Sequence, residues 1–221
     1  MVENEKCDFS HSKISQIPKI PPQTHKLDLR RNLIEIMNLP HLPNLIELDL
    51  SDNKIQEIKY LENIPNIKIL DLSYNLISNI KIPPLNLEEL YLICNDIEKI
   101  EGLNLPSLKI LDLAVNEISL IENLEKCTNL TELYLGSNKI SDLPDLTFLR
   151  NLKILDLQNN NLVEIDCRKL PKSITQFLVS ENHKLKEIKG IEYLENLTLL
   201  GIRKTRIKEI KCKKTIEIWK D

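Results

Sequence analysis

The chain has 221 residues, of which 42% are hydrophobic and 29% are charged. This balance suits a folded core and is too polar for a membrane-embedded protein, and no run of about 18 apolar residues predicts a transmembrane helix. The five cysteines are odd in number and lack CxxC spacing, and the four histidines are scattered, which argues against a disulfide framework or a zinc site. The first residues, MVENEKCDFS, contain no apolar stretch of signal-peptide length, so we expect an intracellular location, cytoplasmic, nuclear or both.

The most informative feature of the sequence is an internal repeat. One pattern, LxxLxLxxNxIxxI, recurs ten times with successive starts 20 to 23 residues apart. Self-similarity at such a period is typical of solenoids, in which each unit buries its apolar face against its neighbours. The ten units start at Asn4, Thr24, Leu45, Ile67, Leu87, Leu108, Leu130, Leu152, Ile174 and Leu197.

Each unit predicts one short strand followed by a return segment. Positions 4 and 6, such as Leu111 and Leu113, alternate with polar neighbours, as expected for a strand with one buried face. Positions 11 and 14, such as Ile97 and Ile100, are three residues apart and suit a 3₁₀ turn that leads back to the core. The sequence therefore predicts an α/β solenoid of about ten repeats, with a parallel sheet on the concave face and short 3₁₀ or irregular segments on the convex face.

An asparagine recurs at position 9, where the chain turns out of each strand. Its amide carries donors and an acceptor that can satisfy unpaired backbone groups of its own unit and of the adjacent one. We therefore interpret these residues as a structural ladder rather than as a binding site. The ladder comprises Asn32, Asn53, Asn75, Asn95, Asn116, Asn138, Asn160 and Asn182.

The pattern identifies the chain as a leucine-rich repeat protein, and several segments indicate the 22-residue class. Stretches such as IEGLNLPSL (100–108) and IENLEKCTNL (121–130) resemble the leucine-rich regulatory subunit of protein phosphatase 1. In that family the partner-facing position of successive strands carries acidic and aromatic residues by turns, and position 5 here changes from Asp to Tyr in the same way. The resemblance implies a regulatory subunit that holds the phosphatase catalytic subunit on its concave face. The same class includes scaffold subunits of spliceosomal, dynein or axonemal, and tubulin-cofactor complexes, which remain the alternative.

The predicted partner-binding surface lies on the middle strands. Tyrosine is an effective interface anchor, and a contiguous patch of exposed strand apolars calls for a function. Because neighbouring strands lie about 5 Å apart, a row of such residues is long enough for a protein partner. The candidate binding residues are Asp49, Asp71, Tyr74, Tyr91, Ile93, Asp112, Tyr134 and Asp156.

The remaining expectations concern the ends of the chain and chemistry. A single domain is predicted over residues 1–221, with repeat units over 4–210 and a short C-terminal cap or tail over 211–221. The last 19 residues hold eight Lys or Arg and three Asp or Glu, and we interpret this basic end as protection of an exposed strand edge rather than as a nucleic-acid site. No phosphate-binding glycine loop or catalytic triad spacing is found. The expected protein is a monomer without enzymatic activity, cofactor, metal or membrane contact.

Overall fold

The computed structural model describes residues 6–210 and 216–221, and within them thirteen strands of three residues each. In chain order they are β1 Lys6–Asp8, β2 Lys26–Asp28, β3 Glu47–Asp49, β4 Ile69–Asp71, β5 Glu89–Tyr91, β6 Ile110–Asp112, β7 Glu132–Tyr134, β8 Ile154–Asp156, β9 Glu164–Asp166, β10 Gln176–Leu178, β11 Glu187–Lys189, β12 Leu199–Gly201 and β13 Glu217–Trp219.

Eleven strands form one sheet in the order β1 to β8, then β10, β12 and β13. Ten of them, β1 to β8, β10 and β12, begin at the third position of the ten predicted units. All neighbours pair in parallel and in step, so that position 4 of one unit faces position 4 of the next, as Leu70, Leu90 and Leu111 do. The parallel-strand solenoid of about ten turns is therefore confirmed.

The core is a column of apolar side chains behind the sheet. In the unit that contains β6, the side chains of Leu108, Leu111, Leu113 and Ile118 have no exposed surface. The same positions are buried in the neighbouring units. Each such side chain contributes about 1.5–3 kcal/mol when it is fully removed from water, which offsets the entropy of ordering so many short elements.

The expected α/β label is not confirmed, because the described residues contain no α-helix. Three return segments hold a one-turn 3₁₀ helix, at Leu61–Asn63, Cys167–Lys169 and Ile191–Tyr193, and the others are turns and irregular chain. The reason is length and composition. Each return segment must cross the core and turn back within fewer than 20 residues, often around a proline, and isolated helices so short are unstable.

Two features at the C-terminal end lie outside the ten-unit prediction. β9 and β11 pair with each other in a separate two-stranded sheet built from return segments. β13 adds an eleventh strand beside β12, with Ile218 packed against the core and the Arg203 guanidinium 5.9 Å from the Trp219 ring centre. Residues 1–5, with the start of the first unit, and residues 211–215 of the predicted cap, with Cys212, lie outside the described residues.

Candidate functional site

The predicted binding residues lie on the outer face of the large sheet, which is the face that points away from the core. They are placed at or just beyond the C-terminal ends of its middle strands. Position 5 forms one row along which six of them follow each other in strand order: Asp49, Asp71, Tyr91, Asp112, Tyr134 and Asp156. The other two lie at the margin where the chain leaves the strands. Ile93 is two residues beyond Tyr91, and Tyr74 is three residues beyond Asp71.

A second row, at position 3, runs beside the first, and its residues are not among the eight candidate binding residues. It places Ile69, Glu89, Ile110, Glu132 and Ile154 next to one another on β4 to β8. Each Ile shares its strand with an Asp and each Glu shares its strand with a Tyr, so acidic and apolar groups alternate in both directions. We call the ten residues that these two rows place on β4 to β8 the central outer face. The alternation is visible in the sequence as ILD and ELY segments.

Each tyrosine of the central outer face forms a hydrogen bond to a glutamate of its own strand. The Tyr91 hydroxyl donates to Glu89 Oε2 at 2.8 Å, and the Tyr134 hydroxyl donates to Glu132 Oε2 at 2.7 Å. Both rings are half-buried between the flanking strands. Burial, followed by the bond to the glutamate, raises the pKa of both phenols. The two rings therefore stay neutral at physiological pH and present a fixed apolar surface with a polar rim.

The aspartates of the row have a structural task beside any binding role. In β4, β6 and β8 the Oδ1 atom of the position-5 carboxylate accepts the backbone N–H two residues on, at 2.8 Å from Ser73, 3.0 Å from Ala114 and 2.9 Å from Gln158. This Asx-type bond closes the turn out of the strand. The repeat fold thus explains in part why aspartate occurs at position 5.

Where position 5 is not an aspartate, a serine of the preceding unit supplies the turn bond in two cases. The Ile93 N–H, which follows Tyr91, donates to Ser73 Oγ at 3.3 Å. The Arg203 N–H, which follows Gly201, donates to Ser180 Oγ at 3.0 Å. The serine hydroxyl frees position 5 for another side chain, and on β5 that side chain is a tyrosine.

The carboxylates of the central outer face lack basic neighbours. Within the part of the chain that the structure describes, no Lys, Arg or His nitrogen lies within 4.0 Å of the carboxylate oxygens of Asp71, Glu89, Asp112, Glu132 or Asp156. On the first strands the situation differs: Lys6 lies 3.3 Å from Asp8, Arg30 lies 3.5 Å from Asp28, and Lys26 lies 2.5 Å from Glu47. Five acidic groups are thus left without an internal counter-charge on adjacent strands.

Burial raises the pKa of the Asp71, Asp112 and Asp156 carboxyls, although the turn bonds act in the opposite direction. The negative charges of Asp71 and Asp156 add to the effect on Asp112, and that of Asp49 adds to the effect on Asp71. Each of these carboxylates is therefore less stable when ionised in the fold than in water. An approaching cation would relieve this penalty.

Behind the outer face, the eight asparagines are buried and bonded to the unit that precedes each of them. Asn116 is representative: its Nδ2 donates to Leu92 O at 2.9 Å and to Leu113 O at 3.1 Å, and its Oδ1 accepts the Ile97 N–H at 3.1 Å. The same pattern runs from Asn32 to Asn182. These side chains tie successive units together and do not reach the outer face.

The residue at position 8, which precedes the asparagine in eight of the ten units, has a left-handed backbone. Its φ lies between 52° and 62° in all ten units, although none of the ten residues is glycine. Two of them expose large apolar side chains, Tyr74 at 56% and Val115 at 46% of their surface. A β-branched residue such as Val115 is strongly disfavoured in this conformation. Tyr74 and Val115 extend the apolar surface beyond the strand ends.

The described residues offer no centre for chemistry. They contain no group of three or more His, Cys, Asp or Glu side chains that could hold a metal ion. None of the helices in this part of the chain has the length and apolar character needed to cross a bilayer. The thiols of Cys7, Cys94, Cys127 and Cys167 are free, and burial raises the pKa of the Cys167 thiol to about 12, which makes it a poor nucleophile.

Comparison with known proteins agrees with the repeat architecture. A family model described as leucine-rich repeats in two copies matches residues 43–86, 85–126, 106–147 and 128–172, which together cover more than half of the chain. A search among curated proteins found no match. The comparisons identify the repeat family and not the phosphatase regulatory subunit.

Three of the similar solved structures come from bacteria. The functional domain of InlJ from Listeria monocytogenes is 25% identical, with a TM-score of 0.75 over 90% of this chain and 44% of that chain. A leucine-rich repeat protein of Leptospira interrogans is 27% identical, with a TM-score of 0.72 over 91% and 55%. Internalin C2 of L. monocytogenes is 29% identical, with a TM-score of 0.58 over 64% of each chain. The chain spans about half the length of the first two.

Proposed function

The chain belongs to the leucine-rich repeat family, and we propose that it is a non-catalytic module that binds a protein partner on its central outer face. The fold is generally a non-catalytic interaction scaffold, and no catalytic family is indicated. One observation carries the proposal: five carboxylates without basic neighbours alternate with tyrosine and isoleucine side chains on five adjacent strands.

The charged and apolar groups of this surface lower the stability of the free protein, and a bound partner would remove this penalty. Like charges on nearby strands repel each other, and the burial that raises the pKa of Asp71, Asp112 and Asp156 adds to the cost. The half-buried strand apolars add a second cost, because part of their apolar surface stays in contact with water. A partner that carries both basic and apolar groups removes both costs at once. Tyr91 and Tyr134 are suited as anchors because they bury much area with little rotamer loss.

For the identity of the partner we propose the catalytic subunit of protein phosphatase 1. The support is the Asp–Tyr–Asp–Tyr–Asp order at position 5 from Asp71 to Asp156, which resembles the regulatory subunit of that enzyme. The alternative is an adaptor of a spliceosomal, dynein or axonemal, or tubulin-cofactor complex. Either role belongs in the cytoplasm or nucleus, and the module would act as a single domain and as a monomer.

The decisive experiment is capture of the purified phosphatase catalytic subunit by the wild-type chain and by matched variants. Tyr91→Ala with Tyr134→Ala is expected to weaken binding by several kcal/mol, as truncated anchors at an interface centre do. Tyr193→Ala is the control, because this exposed tyrosine lies in a return segment away from the outer face.

A third variant tests the basic end. Arg206→Glu with Lys208→Glu is expected to leave capture unchanged. Arg206 and Lys208 are chosen because the neighbouring Arg203 and Lys204 already have contacts within the chain. Arg203 lies over the Trp219 ring, and Lys204 pairs with Glu181 at 2.5 Å. If the tyrosine pair is silent while the charge reversal abolishes capture, the outer-face model fails and an adaptor that binds through its basic end takes its place.

A further inference from the structure

The spacing of the central outer face carries information about the shape of its partner. Adjacent strands lie about 4.8 Å apart, so the aspartates of β4, β6 and β8 recur about every 9.6 Å, with a tyrosine halfway between them. The row from Asp71 to Asp156 is therefore about 19 Å long. It runs across the strands, along the axis of the solenoid.

We propose that the partner element is a basic amphipathic α-helix that lies along this row, with a Lys or Arg every seven residues and an apolar residue halfway between. This inference rests on the proposed function and names the chemistry that fits the same surface. A helix rises about 1.5 Å per residue, so seven residues advance about 10.5 Å and three or four advance about 5 Å. These distances match the steps from Asp to Asp and from Asp to Tyr. Over the whole row the two repeats drift by only about 2 Å.

An extended peptide does not fit this spacing. Its side chains on one face recur about every 6.7 Å, which matches neither the 4.8 Å step nor the 9.6 Å step. Addition of a strand at a sheet edge would not use these residues, because the row lies in the middle of eleven strands and faces outward. The choice between helix and extended chain therefore follows from geometry.

Charge also selects the occupant. Asp71, Asp112 and Asp156 have no basic group within 4.0 Å in the described part of the chain, so each can pair with one cation of the helix. Tyr91 and Tyr134 are neutral and half-buried, so they provide contact surface for the apolar residues between those cations. A basic helix without the apolar positions would gain only salt-sensitive charge pairing, and an apolar helix would leave the carboxylates unpaired.

The test uses three synthetic peptides of equal composition and charge, each with a 21-residue body and a terminal cap that contains one Pro, measured by fluorescence anisotropy at two salt concentrations. The first has Lys at the first and Leu at the fourth position of three heptads, with Ala and Gln elsewhere. The second places the same Lys and Leu at alternate positions, which suits an extended chain. The third keeps the heptads but swaps one central Ala with the Pro of the cap. Its composition is unchanged, but the Pro now interrupts the helix. We expect the heptad peptide to bind at least tenfold more tightly than either control.

A double-mutant cycle tests the register. The Asp112→Asn variant keeps an Oδ1 that can accept the Ala114 N–H, so its turn is preserved while its charge is lost. Changing the central Lys of the heptad peptide to Gln is expected to weaken binding to the wild-type chain by about fivefold or more and to have no further effect on Asp112→Asn. The same peptide change should still weaken binding to an Asp8→Asn control, because β1 lies outside the row.

The outcomes separate this inference from the proposed function. Equal or tighter binding by the alternating or proline peptide, or no coupling between Asp112 and the central Lys, overturns the helix inference. Absence of binding by all peptides overturns it too. The proposed function stands in each of these cases if capture of the protein partner depends on Tyr91 and Tyr134, and it falls if that capture does not.

Discussion

The first two strands and the middle strands of the same sheet use aspartate at the same position in opposite electrostatic settings. Asp8 on β1 and Asp112 on β6 each accept the N–H two residues on, at 3.0 Å in both cases. The Ser10 side chain and backbone, helped by Lys6, lower the pKa of Asp8 to about 2. Burial and neighbouring carboxylates raise the pKa of Asp112 instead. The turn bond is therefore a property of the repeat, whereas the unneutralised charge is a property of the middle strands.

This difference separates architecture from recognition. A residue that recurs in every unit with the same partners, such as the position-9 asparagine, is explained by the stack alone. The alternation on β4 to β8 is not required by the stack, because β1 and β2 form the same strands with compensated charges. The following predictions test this distinction, from the largest expected effect to the smallest.

The largest effect is expected in the asparagine ladder. Asn116→Ala leaves the Ile97 N–H and the Leu92 and Leu113 carbonyls without this partner in the buried middle of the stack. A loss of about 1–3 kcal/mol in the free energy of unfolding is expected. Urea unfolding monitored by circular dichroism measures it.

The matched change at the end of the stack is Asn32→Ala. Asn32 makes the same kind of bonds, to Phe9 O at 2.9 Å and from the Ile14 N–H at 3.1 Å. Its unit lies near the terminus, where local opening is easier, so the expected loss is smaller. Equal losses at the two sites would contradict the expectation that the stack opens more easily at its end than in its middle.

A gain in stability is expected from relief of backbone strain at position 8. Val115 has a φ of 57°, and Val115→Asn replaces a β-branched side chain by one that tolerates the left-handed region. We expect a gain of about 1 kcal/mol. Arg31→Asn on the second unit, where φ is 54° and the side chain is unbranched, should gain less. Thermal melts of both variants compare them, and a larger gain at Arg31 would rule out β-branching as the source of the strain.

The strands of the large sheet could be predicted from the sequence, whereas the left-handed turn at position 8 could not. The leucine frame placed ten of the eleven large-sheet strands, because burial of positions 4 and 6 dictates where a strand must lie. The conformation at position 8 was not predicted, because only His11, Asp52 and Asn159 of its ten residues are of types that favour a positive φ. β13 was missed because IEIW at 216–219 lacks the leucine frame and starts too soon after the tenth unit.

The candidate site was predictable in part for the same reason. Position 5 could be read as one row from the repeat alignment alone. The bond from Tyr91 to Glu89 and the turn bond from Ser73 to the Ile93 N–H depend on side-chain orientation within and between strands. Charge compensation by Lys6 and Arg30 likewise required knowing which long side chains fold back on their own sheet.

The smallest effect is expected from removal of a single charge in the middle strands. Because its pKa is raised in the fold, the Asp112 carboxyl favours the protonated form there, and its ionisation at neutral pH lowers stability. Asp112→Asn keeps an acceptor for the Ala114 N–H and removes the charge. We expect a higher urea midpoint at pH 7. The advantage should vanish near pH 3, below the ordinary pKa of about 3.9, where the wild-type carboxyl is itself neutral.

The same change on the first strand should have the opposite sign. The pKa of Asp8 is lowered to about 2 in the fold, so its ionised form contributes stability above the ordinary pKa and loses that contribution as the pH falls toward 2. Asp8→Asn should therefore lower the urea midpoint at pH 7, by a small amount because this side chain is exposed, and should become neutral only below about pH 2. If Asp112→Asn and Asp8→Asn shift the midpoint in the same direction at pH 7, the two regions do not differ electrostatically. The carboxylates of the middle strands then need no partner to explain them.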